Sequence, residues 1–291
     1  MLEVKKIQTK DNKFLNFARN CDPSIKNLYY LGELPKKRLP TVAIVGSRKP
    51  TSYGKEITLK LAESLARRGV VIVSGLALGH DALAHEGALN GGGLTIAVIG
   101  TPLPKITPST NRFLGEKILQ SKGALISEVA EITKNSKLFY KTTFLQRNRI
   151  VAGLADVVIV VEASRHSGTL NTVKHALTQG KEIMAVPGNV TSPLSEGCNR
   201  LIQQGATPLL ELNDVLEKLG ITDERENKSH EIKFDDKNEE KVFKLISEGI
   251  RNGEELQEKS KINPAEFNVT LTMLEIKGLI RNIGANNWGV K

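Results

Sequence analysis

The sequence predicts an α/β fold, a doubly wound and mostly parallel sheet, followed by a small carboxy-terminal winged-helix domain. Three observations carry this. Apolar runs alternate with amphipathic stretches from Thr41 to about Lys218, a charged segment nearly free of large apolar residues begins at Ile221, and three helical patterns followed by two strand patterns close the chain. A length of 291 residues, 40% of them hydrophobic and 25% charged, suits one large globular domain and a smaller one.

The strands come first. TVAIVG (41–46), VVIVSG (70–75), LTIAVIG (94–100), DVVIVVEA (156–163) and EIMAVPG (182–188) are continuous rather than alternating, as parallel strands buried on both faces are. Tyr53 to Arg68 and Thr169 to Gln179 read as amphipathic helices between them. An open sheet of this kind binds ligands at the carboxyl ends of its strands. The expected organisation is an amino-terminal extension (1–40), the Rossmann-like domain (41–220), a charged linker (221–237) and the winged helix (238–291). In that last unit EEKVFKLISEG, GEELQEKS and NPAEFNVTLTMLEIKG are helices, with Asn263 and Pro264 at the start of the third, and LIRNIG and NWGVK are strands. The third helix offers Glu266, Asn268, Thr270, Thr272 and Glu275 where a reader of duplex DNA needs phosphate-contacting cations. A protein-docking or structural role is therefore expected for it.

Charge narrows the partner. The net charge is +9, and residues 1–220 hold 29 Lys and Arg against 18 Asp and Glu, whereas 221–239 hold 4 against 7 and 240–291 hold 8 against 7. A positive excess confined to the large domain points to a polyanion there, since neutralising phosphates releases counterions. No run of about 18 apolar residues exists to span a membrane, and Met1 to Asn20 lacks the apolar core of a secretory signal, so a cytoplasmic location is expected. Cys21 and Cys198 do not form a zinc or disulfide framework, so two free thiols and no metal are expected.

Four segments at strand ends are candidate contacts for a phosphate-bearing chain. Gly46, Ser47 and Arg48 enter a helix whose free N–H groups favour an anion. Arg48 stands where a dinucleotide fingerprint needs its second glycine, which argues against NAD. Ser74 and Gly75 open a glycine-containing loop that either turns amides toward a ligand or packs strand tightly on helix. Ser167, Gly168 and Thr169 form a third loop at a helix start. Lys141, Phe144, Arg147, Asn148 and Arg149 mix cations with an aromatic, the combination that suits an unpaired strand, although Phe144 read alone belongs in the core with Ile150 and Val151. Catalytic patterns are missing: His85-Glu86-Gly87 is no metalloprotease helix, and neither a Gly-x-Ser-x-Gly elbow nor a Walker lysine loop occurs. A buried, hydrogen-bonded His85 is expected, with no catalytic residue, metal or cofactor.

Together these segments resemble the DNA-processing protein A (DprA, or Smf) family. The likeness runs from about Tyr29 to Leu210 through YYLGELPKKRLPTVAIVGSRKPTSYG, VSGLALGHDALAHEGAL, TIAVIG, FLQRNRIVAGLADVVIVVEA and SGTLNTVKHALTQGKEIMAVPGNVTSPLSEGCNRLIQQGA. The resemblance implies an extended Rossmann domain that binds single-stranded DNA in natural transformation, protects it, forms a homodimer and loads a RecA-type recombinase, without enzymatic activity. It assigns DNA contact to Gly46, Ser47, Arg48, Lys141, Phe144, Arg147, Asn148, Arg149, Ser167, Gly168 and Thr169, and adds Lys181. It departs after Gly100, where Thr101-Pro-Leu-Pro-Lys-Ile-Thr-Pro replaces a glycine-rich turn. A rival from another class is a nucleotide hydrolase of the lysine-decarboxylase-like phosphoribohydrolase type, with Thr172 in place of its catalytic glutamate. Leu201, Ile202, Leu209 and Leu210, near the end of the sheet, are the expected dimer interface.

Overall fold

The computed structural model describes residues 3–131, 137–222, 234, 236–284 and 286–290, with the side chains of 19 and 137–141 outside that set. It divides into two compact units, residues 1–222 and 223–291. In the first, nine strands form one sheet: β1 (Lys5–Gln8), β2 (Asn27–Gly32), β3 (Thr41–Val45), β4 (Val71–Ser74), β5 (Thr95–Ile99), β6 (Ala124–Ser127), β7 (Val157–Val160), β8 (Glu182–Ala185) and β9 (Thr207–Pro208). Their order is β1-β2-β6-β5-β4-β3-β7-β8-β9. All neighbours from β6 to β9 run parallel, while β1 and β2 are antiparallel additions at one edge.

Both faces of the central strands are buried, which is why their sequences show no polar alternation. Ala43 and Val45 of β3 and Val158 and Val160 of β7 enter one core. Val42, Ile44, Val157 and Ile159, pointing the other way, enter a second. Among the described residues seven α-helices accompany the sheet: α1 (Ser52–Arg67), α2 (His80–Asn90), α3 (Arg112–Gln120), α4 (Lys137–Leu154), α5 (Thr169–Thr178), α6 (Glu196–Gln203) and α7 (Leu212–Lys218). From β3 the chain winds outward through β4, β5 and β6. It then crosses back through α4 to β7, so the winding direction reverses between β3 and β7. That reversal leaves a crevice beyond the strand ends.

Two parts of this unit differ from the sequence reading. Residues 1–40 do not stand apart: β1 and β2 extend the sheet, and Phe14, Leu15, Ala18 and Cys21 lie in the same core as β3 and β7. β2 is covered on both faces, Leu28 and Tyr30 meeting one core and Tyr29 and Leu31 another. The segment 141–149 is the middle of the 18-residue α4. Both thiols are free and buried, and burial pushes Cys21 up to about 11 and Cys198 up to about 12.

The second unit comprises α8 (Lys237–Ser247), α9 (Gly253–Ser260), α10 (Pro264–Ile276) and an antiparallel hairpin of β10 (Ile280–Gly284) and β11 (Asn287–Val290). Val242, Ile246, Leu256, Phe267, Leu271 and Leu274 form its core. Asn263 Oδ1 accepts the Glu266 N–H at 3.0 Å and Pro264 occupies the first turn, the start the sequence indicates. Most of the expected linker, 223–233 and 235, lies outside the described residues.

Candidate functional site

A cavity of about 370 Å³ lies over the carboxyl ends of β3 and β4 and beside the loop that follows β7, at the reversal of winding. It brings together Gly46, Ser47, Arg48, Gly75, Phe144, Arg147, Asn148, Ser167, Gly168 and Thr169 from four separate segments, with Asp81 and Thr172 added. Helical periodicity decides which residues of α4 take part. Phe144, Arg147, Asn148 and Val151 recur at three- and four-residue spacing and line the cavity. Arg149, off that face, is buried and makes a bidentate pair with Glu128, with Nη1 2.9 Å from Oε2 and Nη2 2.6 Å from Oε1.

The first loop is held from below. Ser47 N–H donates to Glu162 O at 2.8 Å and Thr51 N–H to Glu162 Oε2 at 2.9 Å, while the Thr51 hydroxyl reaches Oε1 and caps α1 by accepting from Gly54 N–H at 3.1 Å. The same carboxylate lies 3.0 Å from His80 Nε2, whose Nδ1 meets Thr58 Oγ1 at 2.6 Å. His80 is fully buried. Burial pulls its pKa below the ordinary histidine value, and Glu162 opposes that. A side chain at Gly46 would place its Cβ 2.5 Å from the His80 ring, so the first glycine of the loop is there for close packing. Above this support Arg48 is exposed and, among the described residues, enters no ion pair.

The second loop resolves in favour of packing. Ser74 is buried and its hydroxyl donates to Ile44 O at 2.7 Å. The N–H groups of Gly75 and Ala77 turn inward onto Asp81 Oδ2, at 3.1 and 3.4 Å. A Cβ at Gly75 would stand 1.8 Å from Arg147 Nη1. Arg147, which is buried, donates to Val98 O, and burial lowers its pKa against the pull of Asp81. Arg147 is therefore the floor of the cavity rather than a mobile phosphate grip. Asn148 Nδ2 donates to Asn171 Oδ1 at 3.1 Å. Phe144 is half-buried against Gly100 and lines the cavity, short of the full burial its sequence neighbours suggest. In the third loop Ser167 Oγ accepts from Thr169 N–H at 3.2 Å, and the space around Gly168 is open.

Three candidates lie elsewhere or outside the description. Lys181 immediately precedes β8 and so sits at the amino-terminal edge of the parallel strands, its Nζ 5.3 Å from the Phe17 ring centroid. The side chain of Lys141 lies outside the described residues. Of the four leucine and isoleucine positions at the sheet end, Leu201 and Leu209 are buried and Ile202 packs on the core, while Leu210 is 76% exposed. His85 is buried with Nδ1 2.7 Å from Thr95 Oγ1, as the sequence suggests. No group of three or more metal-ligating side chains occurs among the described residues. Nor, among them, is any helix long and apolar enough to cross a membrane. The sequence offers Asp81 only beside His80 and His85 as a metal or acid/base pattern, and the Glu162 clamp escapes sequence reasoning. Their signal is only that each acid interrupts an otherwise apolar or glycine-rich stretch.

A doubly wound sheet with its cavity at the reversal of winding defines a Rossmann-like ligand-binding domain. Within that class the sequence matches the model for DNA recombination-mediator protein A over residues 5–220, and the chain belongs to that family. It is 43% identical over 192 residues to Protein Smf of Escherichia coli, covering 66% of this chain and 50% of that protein. It is 41% identical over 189 residues to DNA processing protein DprA of Streptococcus pneumoniae, covering 65% of each. The chain thus spans about half the length of the Escherichia coli relative. The structure of the Streptococcus pneumoniae protein superimposes with a TM-score of 0.66 at 36% identity, covering 74% of each chain. DNA processing protein A of Helicobacter pylori, described with a single-stranded DNA binding mode, gives 0.64 at 31% identity and covers 75% of this chain and 96% of that one.

Proposed function

We propose that the amino-terminal unit holds single-stranded DNA at the cavity without covalent chemistry, within DNA processing during natural transformation. The observation that carries this is the convergence, at one crevice, of an exposed unpaired Arg48, two helix starts and a half-buried Phe144. Arg48 and the open Gly168 loop supply phosphate contacts at the rim, and Phe144 supplies an aromatic face to an unstacked base. The single-stranded DNA binding mode of the Helicobacter pylori relative supports the same reading. Hydrolysis is disfavoured because Thr172 lines the cavity where the rival family's glutamate would act. The wider role is protection of incoming strands in the cytoplasm and their delivery to a RecA-type recombinase by a homodimer, with the carboxy-terminal winged helix docking protein.

The test is equilibrium binding of an unstructured oligonucleotide across a salt series, against duplex DNA and a mononucleotide. Single strands bind best, with a steep salt slope. Arg48→Ala and Lys141→Ala each weaken binding by about tenfold and flatten the log–log slope by about 0.7. Parent-like binding by both variants at every salt concentration removes the proposed site.

A further inference from the structure

The amino-terminal ends of the parallel strands carry charge that the cavity above does not use. Residues 1–40 hold 9 Lys and Arg against 4 Asp and Glu, nearly half of the surplus in residues 1–220, and no described residue among them lines that cavity. A separate cavity of about 320 Å³ is lined by Asn16, Phe17 and Asn20 of a 3-10 turn (Leu15–Asn20) and by Ser24. Two cations flank the Phe17 ring, Arg38 with its Cζ 4.3 Å and Lys181 with its Nζ 5.3 Å from the centroid. Their positions just before β3 and β8 place them at the edge opposite the first cavity. Arg38 is committed: Nη1 donates to Leu154 O at 2.9 Å and Nη2 pairs with Asp156, whose other oxygen accepts from Thr41 N–H at 2.8 Å. The half-buried Lys181 ammonium, by contrast, makes no hydrogen bond or ion pair with any described residue. Burial lowers its pKa, which Asp156 opposes and Arg38 reinforces, so an anion beside it would restore the charged form.

We propose that this edge is a second polyanion site, in which Lys181 holds a phosphate of a single strand and the cavity beside Phe17 takes the adjoining nucleotide. This rests on the single-strand reading above and adds a contact on the opposite side of the sheet. The described lining offers amides, a hydroxyl and an aromatic ring, with no charge to repel a phosphate. Lys36 and Lys37, exposed and next to Arg38 in sequence, carry the positive charge beyond the cavity, as a chain of phosphates requires and a single bound anion does not. The two sites are too far apart for a very short strand. β8 alone is about 13 Å long, and a strand joining its two ends passes outside helices about 10 Å across. A tetranucleotide therefore occupies one site, whereas a long strand engages both and gains through effective concentration.

Fluorescence anisotropy of the full chain, with an oligo-dT tetranucleotide and with oligo-dT of about 40 nucleotides, tests this. Lys181→Ala binds the tetranucleotide like the parent. It binds the longer strand about tenfold more weakly, with a log–log salt slope flatter by about 0.7. Lys181→Arg, which keeps the charge, binds the longer strand like the parent, and Arg48→Ala weakens both lengths. Unchanged affinity for the longer strand in a folded Lys181→Ala protein overturns the proposal. Equal weakening of both lengths also overturns it, since that places Lys181 with the first cavity. Amide hydrogen exchange of the parent decides the matter without a substitution: the longer strand slows exchange across residues 15–24, and no protection there overturns the second site. Oligo-glutamate that binds the parent but not Lys181→Ala, with longer-strand affinity untouched, assigns the edge to an acidic protein instead. A parent that binds neither oligonucleotide overturns the single-strand reading and this one with it.

Discussion

Acidification destabilises the core beneath the cavity through His85, and the amount follows from its surroundings. His85 is fully buried, its Nδ1 is satisfied by Thr95 Oγ1 at 2.7 Å and its Nε2 has no hydrogen-bond partner among the described residues. Burial, with the nearby Arg147 guanidinium adding to it, pushes its pKa down from 6.5 to about 3. In the unfolded chain the imidazole takes up a proton below about pH 6.5, while in the folded chain it stays neutral down to about pH 3. Its contribution to stability is therefore complete above the unfolded value and is lost as the pH falls, at about 1.4 kcal/mol per pH unit. Between pH 7.5 and 5 the loss is about 2 kcal/mol. His85→Gln has no proton to gain, so its stability declines by that much less over the same interval. Urea unfolding followed by far-ultraviolet circular dichroism measures both proteins. Trp288, the single tryptophan, reports the second unit separately by fluorescence. Parallel acid loss in parent and variant refutes the assignment of a neutral His85.

Three further outcomes follow from packing and exposure. Gly75→Ala costs about 3 kcal/mol and abolishes oligonucleotide binding, because the new Cβ would stand 1.8 Å from a buried guanidinium. Gly168→Ala, with nothing within 4 Å, melts within about 0.5 kcal/mol of the parent, and thermal denaturation of the pair decides the matter. Leu210→Glu leaves the fold intact and converts the proposed dimer to a monomer in sedimentation, since Leu210 is 76% exposed beside Tyr53, Ile57 and Leu212. Unchanged sedimentation removes this face from consideration as the interface.

The five central strands are legible because burial on both faces confines polar residues to their ends, and their observed limits differ by only a few residues from the apolar runs. The apolar run of β6 is only Ala124 to Ile126, too short to stand out, and β1 and β2 have a mixed composition. The loop positions Gly46 to Arg48 and Ser167 to Thr169 are legible from glycine and hydroxyl chemistry at strand ends. What the sequence hides is direction. Arg147 and Arg149 are two residues apart, yet one floors the cavity and the other pairs with Glu128, because α4 turns them onto different faces. Lys181 illustrates the same difficulty at the level of the sheet, since a cation at a strand start sits at the opposite edge from loops at strand ends.

The antiparallel edge has a consequence for how the chain is made. Tyr29 of β2 pairs with Ser127 of β6, and Val42 of the central strand pairs with Val157 of β7. During synthesis β2 therefore has only β1 as a strand partner until β6 emerges. The central strand waits longer still for its second neighbour. At about 5–20 residues per second, the roughly hundred residues between β2 and β6 take about 5–20 s to make. Throughout that interval Phe14, Leu15 and Leu28, all fully buried in the finished unit, lack the cover that β6 and then β7 contribute to their shared core. Closing contacts between such distant positions is slow, so the β1–β2 segment is the stretch that a ribosome-associated chaperone has most reason to shield.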